Sequence, residues 1–214
     1  MRKYFAVAML IIAGVLSQSC ASNPADNKPK ASVAEAVPQA GSTPLAGAET
    51  LTITPANSKV DFVASKVTRS HNGSFKQFSG TIDLVNNSAE QSRVAIDMDT
   101  NSVTTDDDGL TKHLKTPDFF DVIKYPKATF TSTKIQPHTA VGATHLITGN
   151  FDLHGVMSSI TFPATIQIAP DKVAVNAEFS INRKDWGIIY AGKADDLIRD
   201  AVVIKLSLNV PRKQ

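Results

Sequence analysis

Val202 to Val210 reads VVIKLSLNV. Val202, Ile204, Leu206, Leu208 and Val210 fall on one side of an extended chain, and Lys205, Ser207 and Asn209 on the other. A strand turns successive side chains to opposite faces, so this stretch has one apolar face and one wet face. The same period recurs upstream. SITFPATIQI aligns Ile160, Phe162, Ala164, Ile166 and Ile168, and KVAVNAEFSIN aligns Val173, Val175, Ala177, Phe179 and Ile181. HLITGNFDL aligns Ile147, Phe151 and Leu153, with Gly149 between. RVAIDM aligns Val94, Ile96 and Met98, and KQFSGTIDL aligns Phe78, Gly80, Ile82 and Leu84. KVDFVAS and KATFTST complete the set.

Turn chemistry separates these runs at Asn86-Asn87, at Pro170-Asp171 and from Pro137 to Gly142. Regularly spaced alternating runs without interleaved helices predict an all-β antiparallel sandwich or barrel of about eight strands. Pro163 lacks an N–H and belongs at an edge or bulge. Gly80 and Gly149 interrupt apolar rows, as bends, bulges or open space require. With Ala164 and Ala177 they leave room inside the sheet.

SVTTDDDGLTKHLKTPDFF breaks the period. Thr104 or Thr105 is placed to cap a helix whose first turn holds Asp106, Asp107 and Asp108, where negative charge meets the positive end of the dipole. Lys112, His113 and Lys115 fall near the other end, Leu110 and Leu114 share a face, and Pro117 stops the helix. Phe119 and Phe120 follow at once, side by side. Two readings fit them: the wall or rim of a cavity, or a plug that fills a solid core.

The chain begins MRKYFAVAMLIIAGVLSQSC. Arg2 and Lys3, an apolar run from Tyr4 to Leu16 and small residues before Cys20 have the pattern of an export signal over residues 1–19. The run is too short to span a bilayer comfortably, which takes about 20 residues. Cys20 is the single cysteine and pairs with no other in the chain. Its position resembles the lipidated first residue of bacterial lipoproteins, with Ser17 where such signals usually carry Leu. Residues 20–50, rich in Ala, Pro, Ser and Gly and without aromatics, read as a flexible tether reaching on the order of 30 Å. Residues 51–214 are then one domain. Without Arg2 and Lys3, 20 basic residues face 20 acidic ones, and no basic cluster of the kind that neutralises phosphates stands out. A nucleic-acid partner is disfavoured.

Little in the sequence supports catalysis. Histidines, serines and aspartates are present, but no Gly-X-Ser-X-Gly elbow is. Asp106-Asp107-Asp108-Gly109 lacks the spacing of a calcium loop, and His145 and His154, nine apart, are a weak basis for zinc. No catalytic residue, metal or cofactor is expected.

VDFVASKVTRSHNGSFKQFSGTIDL, HLKTPDFFDVIKYPKATFTST, ITGNFDLHGV and FSINRKDWGI occur in this order along the chain. Together they resemble the YceI-like family over nearly all of Leu51 to Val210. Met157-Ser158-Ser159, Arg69 to Gly73 and Gly192 to Asp200 depart from the common pattern. The resemblance implies an extended antiparallel eight-stranded lipocalin-like barrel with one short helix and a long apolar cavity. It implies non-catalytic binding of a polyisoprenoid, quinone or fatty-acyl lipid by an exported protein of the periplasm or cell envelope. The apolar rows then supply a cavity of Phe62, Phe78, Ile82, Leu114, Phe119, Phe120, Phe130, Phe151, Phe162, Phe179, Ile181 and Trp186. His113, Asp121, Arg183 and Asp185 lie in the same blocks as polar candidates for its mouth. The expected partners are a long-chain lipid and, through Cys20, a membrane; a homodimer is left open. The alternatives are a structural or stress-related envelope domain with a filled barrel and, more remotely, a hydrolase.

Overall fold

The structure, a computed structural model, describes residues 22–38, 43–140 and 142–212. The expected export signal and Cys20 lie outside the described residues. The described strands, in chain order, are β1 (Ser32–Glu35), β2 (Glu49–Ile53), β3 (Ser58–Ser65), β4 (Ser70–Phe75), β5 (Phe78–Val85), β6 (Ser88–Asp99), β7 (Val103–Thr105), β8 (Lys127–Ala140), β9 (Ala143–Leu153), β10 (Val156–Ile168), β11 (Lys172–Asn182), β12 (Gly192–Lys193), β13 (Asp196–Leu197) and β14 (Ala201–Pro211). The eight that run eight residues or longer are β3, β5, β6, β8, β9, β10, β11 and β14. Each coincides with one of the alternating runs, because a half-buried strand of that length must show period two. The shorter strands carry too few side chains for a period to register.

The main sheet's ladders are all antiparallel, in the order β2-β5-β6-β8-β9-β10-β11-β14-β3-β4-β7, with β1 added on β10, and β12 and β13 form a separate hairpin. The sheet curls into a barrel that no ladder between β2 and β7 closes. Another contact spans the open side. The Arg212 guanidinium, just past β14, reaches the Glu49 carboxylate of β2 at 2.6 Å. Asn86 and Asn87, with φ of 51° and 54°, form the left-handed pair that a two-residue hairpin between β5 and β6 demands. The 137–142 turn is shorter than expected: β8 runs through Pro137 to Ala140, with an irregular register there.

Helix α1 spans Asp108–Leu114. It starts later than the threonines suggested, and Asp107 is its cap, accepting from Leu110 N–H at 2.8 Å. Thr105 is taken by β7, and Asp106 turns away to bond the His71 ring at 2.7 Å. Part of the expected tether also folds. Ala25 is buried against Val63 and Val203, and β1 pairs with Ser158–Thr161 of β10. An aromatic-poor segment needs no core of its own when another strand's edge satisfies its backbone.

β10 changes partner across Pro163, the residue that cannot donate to a ladder. Ser158–Thr161 pair with β1, whereas Thr165–Ile168 pair with β11. Inside, the two ends of the barrel differ. Val173, Val175, Leu208, Val210, Ile147, Ile135, Val94 and Leu51 pack one end solid. The other end, capped by α1 and the loop after it, is hollow.

Candidate functional site

The hollow is a cavity of about 120 Å³, walled by strands β3, β4, β6, β8, β9, β10, β11 and β14. At roughly 10–15 Å³ for each group of water or methylene size, it holds on the order of ten such groups. Aromatic rings set its shape. Phe120 meets Phe75 at 5.7 Å, and Phe75 meets Phe62 at 5.9 Å, down one side. Phe130 meets Phe162 at 5.6 Å, and Phe162 stacks on Phe179 at 4.1 Å, forming the floor. Asp61 and Arg183 are the charged residues on its lining. Arg183 is turned away from it: its guanidinium donates to the carbonyls of Ile188 at 2.6 Å and Arg199 at 3.2 Å, and to Asp200 at 3.1 Å. Burial holds its pKa below the ordinary value, with Asp200 opposing that shift. The remaining wall offers apolar contact.

Above the cavity is a neck. His113 packs edge-on against Phe119 and Tyr190, each at 5.0 Å, and Phe119 meets Tyr190 at 5.4 Å. Beyond it opens a polar vestibule of about 330 Å³ that shares Phe62, Ala64, Leu114, Phe119 and Ile198 with the cavity. Lys66, Arg69, His71, Asp107, Lys193 and Asp196 border it. The Asp107 carboxyl is held below its usual value first by the Leu110 N–H, and Asp196 first by its hydrogen bond from Lys66 at 2.6 Å. Ser65, on the same border, has a buried hydroxyl with no partner among the described residues. An apolar slot leading to a charged vestibule suits a molecule with a greasy tail and a polar head.

Of the residues expected to line the cavity, Phe62, Leu114, Phe119, Phe120, Phe130, Phe151, Phe162, Phe179 and Ile181 do so. Phe78, Ile82 and Trp186 do not. Ile82 stands opposite Leu51 of β2, and both it and Phe78 belong to the packed core. Trp186 is fully buried behind the wall, its indole N–H donating to Phe151 O at 3.3 Å. Among the polar candidates, His113 is at the neck and Arg183 has the structural role just described. Asp121 and Asp185 border neither space. Asp121 takes a turn with φ of 45°, and its carbonyl accepts from the amides of Lys124 and Tyr125. Asp185 is exposed in the 3-10 turn Arg183–Trp186. Gly80, Gly149, Ala164 and Ala177 do not enlarge the cavity either. The Phe130 ring fills the space over Gly149, and the Ala95 carbonyl fills that over Gly80.

Phe75, Met98, Ile188 and Ile198 line the cavity without having been anticipated. Met98 had a signal, its place in an alternating row. Ile188 and Ile198 lie in an irregular segment where no period exists to read. The sequence blocks also meet in an unanticipated cluster. Tyr125 lies 4.6 Å from the His154 ring, whose Nδ1–H donates to Trp186 O at 3.2 Å. Tyr125, His154 and Trp186 thus brace one another at the barrel end.

Fold and cavity together define a lipocalin-like β-barrel. Residues 51–210 match the model of the YceI-like domain, and the chain belongs to that family. It is similar to a UPF0312 protein of Pseudomonas putida (strain W619), 33% identical over 122 residues, and to protein YceI of Salmonella arizonae, 34% identical over 122 residues. Each match covers 54% of this chain and 62% of the relative, so the chain spans less than two thirds of these relatives' length. Among solved structures, Burkholderia cenocepacia BcnA superposes with a TM-score of 0.64 at 26% identity, covering 73% of this chain and 98% of BcnA. A polyisoprenoid binding domain from Saccharophagus degradans, implicated in plant cell wall breakdown, gives 0.61 at 21% identity, covering 78% and 99%. At that identity the second likeness bears on the fold alone.

Proposed function

We propose that this protein binds the apolar tail of an amphiphilic lipid in the cavity, with the head group in the vestibule, for non-catalytic storage or carriage. The carrying observation is that the apolar cavity and the charged vestibule adjoin, sharing Phe62, Leu114 and Phe119 as walls. Membership of the YceI-like family, whose likeness implies lipid binding, supports the same class of ligand. We further propose that the chain is exported and anchored at Cys20, on the pattern of its first twenty residues.

Ten buried methylenes contribute about 8 kcal/mol gross. Lost freedom of the ligand offsets part of that, so the tail alone is expected to bind more weakly than micromolar, toward the millimolar range. The test is displacement of a dansylated medium-chain fatty acid by carboxylates and prenyl alcohols of increasing length. Affinity should rise with each carbon to a plateau once the cavity is full. Failure of every member of the series to displace the dye, with no binding of the dye itself, would refute the reading.

A further inference from the structure

The cavity wall has a seam between β10 and β11. Ile160 and Phe162 of β10 and Phe179 and Ile181 of β11 all face the cavity. Yet β10 and β11 ladder together only over Thr165–Ile168 and Val173–Asn176, toward the solid end of the barrel. At the level of the cavity they part, and the N-terminal segment stands between them. On the β10 side Ser32–Glu35 form a ladder. On the β11 side there is a single bridge, Lys30 to Ser180, with Ala31 N–H donating to Ser180 O and Ser180 N–H to Pro29 O, both at 2.8 Å.

This segment is lightly held. Ala31 is its one side chain in the main core, and Ser32 to Glu35 are exposed. Lys28 pairs with Glu178 at 2.9 Å, and the Asn150 amide clamps the backbone of Val37. Val33, Val37, Val156 and Met157 give the same corner an apolar rim, each more than a third exposed. The matched family domain begins at residue 51, so the segment is an addition to it. At the neck, by contrast, three packed rings stand over the cavity.

We propose that residues 29–37 are a door, hinged on β10 and opening from β11. Through it an alkyl chain enters the cavity sideways from a lipid surface resting on the apolar rim. The proposal rests on the binding function above. Opening breaks the Lys30–Ser180 bridge and withdraws Ala31, and it parts the wall between β10 and β11 at the level of Ile160 and Ile181, above the stacked Phe162 and Phe179.

The test locks the door. In a Cys20→Ser background, Lys30→Cys with Ser180→Cys places two thiols on bridged neighbours, at the spacing a disulfide requires. Glu35→Cys with Ser158→Cys cross-links the hinge side as a control. Uptake of a dansylated medium-chain fatty acid from phosphatidylcholine vesicles is followed before and after reduction. The oxidised Lys30/Ser180 pair should take up the probe about tenfold more slowly or worse, and recover on reduction, while the Glu35/Ser158 pair keeps the parent rate. Equal rates for the oxidised and reduced Lys30/Ser180 protein would overturn the door. Absence of uptake by reduced and parent proteins alike would instead overturn the binding function on which it rests.

Discussion

Phe162 and Phe179 stack ring on ring, centroids 4.1 Å apart and planes 11° from parallel. They stand where the hollow end of the barrel meets the solid end, so this pair sets how deep a chain can go. Phe179→Ala should cost about 3–5 kcal/mol of stability in the empty protein, as a large core ring leaves a hole. In the displacement series the same change should move the plateau to longer chains, and a bound long chain should return part of the lost thermal stability. An unchanged plateau would show that the floor lies elsewhere.

Arg183 is 4% exposed and distributes its guanidinium among carbonyls of the 188–199 segment and Asp200. A lysine keeps the charge but lacks the planar fork. Arg183→Lys should therefore destabilise the fold by about 1–3 kcal/mol in denaturant titrations, since buried carbonyls lose their donors. Its effect on ligand affinity should be small once the protein is folded.

Trp186 is the single tryptophan, fully buried, and packs 5.3 Å from Phe151, a cavity wall residue. Its emission should be blue-shifted and resist quenching by acrylamide. Filling the cavity should change its intensity through Phe151, giving a label-free titration. Trp186→Phe should abolish that signal and cost about 1 kcal/mol for the lost bond to Phe151 O, plus the volume removed.

The Glu178 carboxyl is held below its ordinary value first by the hydrogen bond from Lys28, and also by Lys205. A folded value depressed in this way stabilises the structure above the unfolded value, and that contribution fades as pH falls through the folded one. At neutral pH Lys28→Ala should speed hydrogen exchange at the Ala31 amide. The difference from the parent should shrink below about pH 4 and in molar salt, since both partners are partly exposed. A difference that persists in acid would mean that Lys28 acts through packing.

The long strands were legible because alternation over eight or more residues survives any detail of packing. VVIKLSLNV alone implied β14. β1, β4 and β7 were not legible, because three to six residues carry no period. Ser32–Glu35 became a strand only because β10 leaves β11 at its level. The site was legible in part for the same reason. Alternation says which residues point inward, but not whether an inward residue meets space or another side chain. Phe62 and Phe78 both point inward; only the first meets the cavity. Gly149 looked like room and is occupied by Phe130. Arg183 and Trp186 stood out as chemistry, and their polar groups are spent on backbone carbonyls and, for Arg183, on Asp200.

The central claim is that the space between the neck at Phe119 and the floor at Phe179 holds the tail of a lipid. Native mass spectrometry of the full-length protein, recovered gently from cells, measures this directly. A mass excess that dissociates as one amphiphile class, and that Phe62→Trp in the cavity wall sharply reduces, is the predicted result. Bare polypeptide throughout, with no added mass after incubation with fatty-acyl or prenyl amphiphiles, would contradict it.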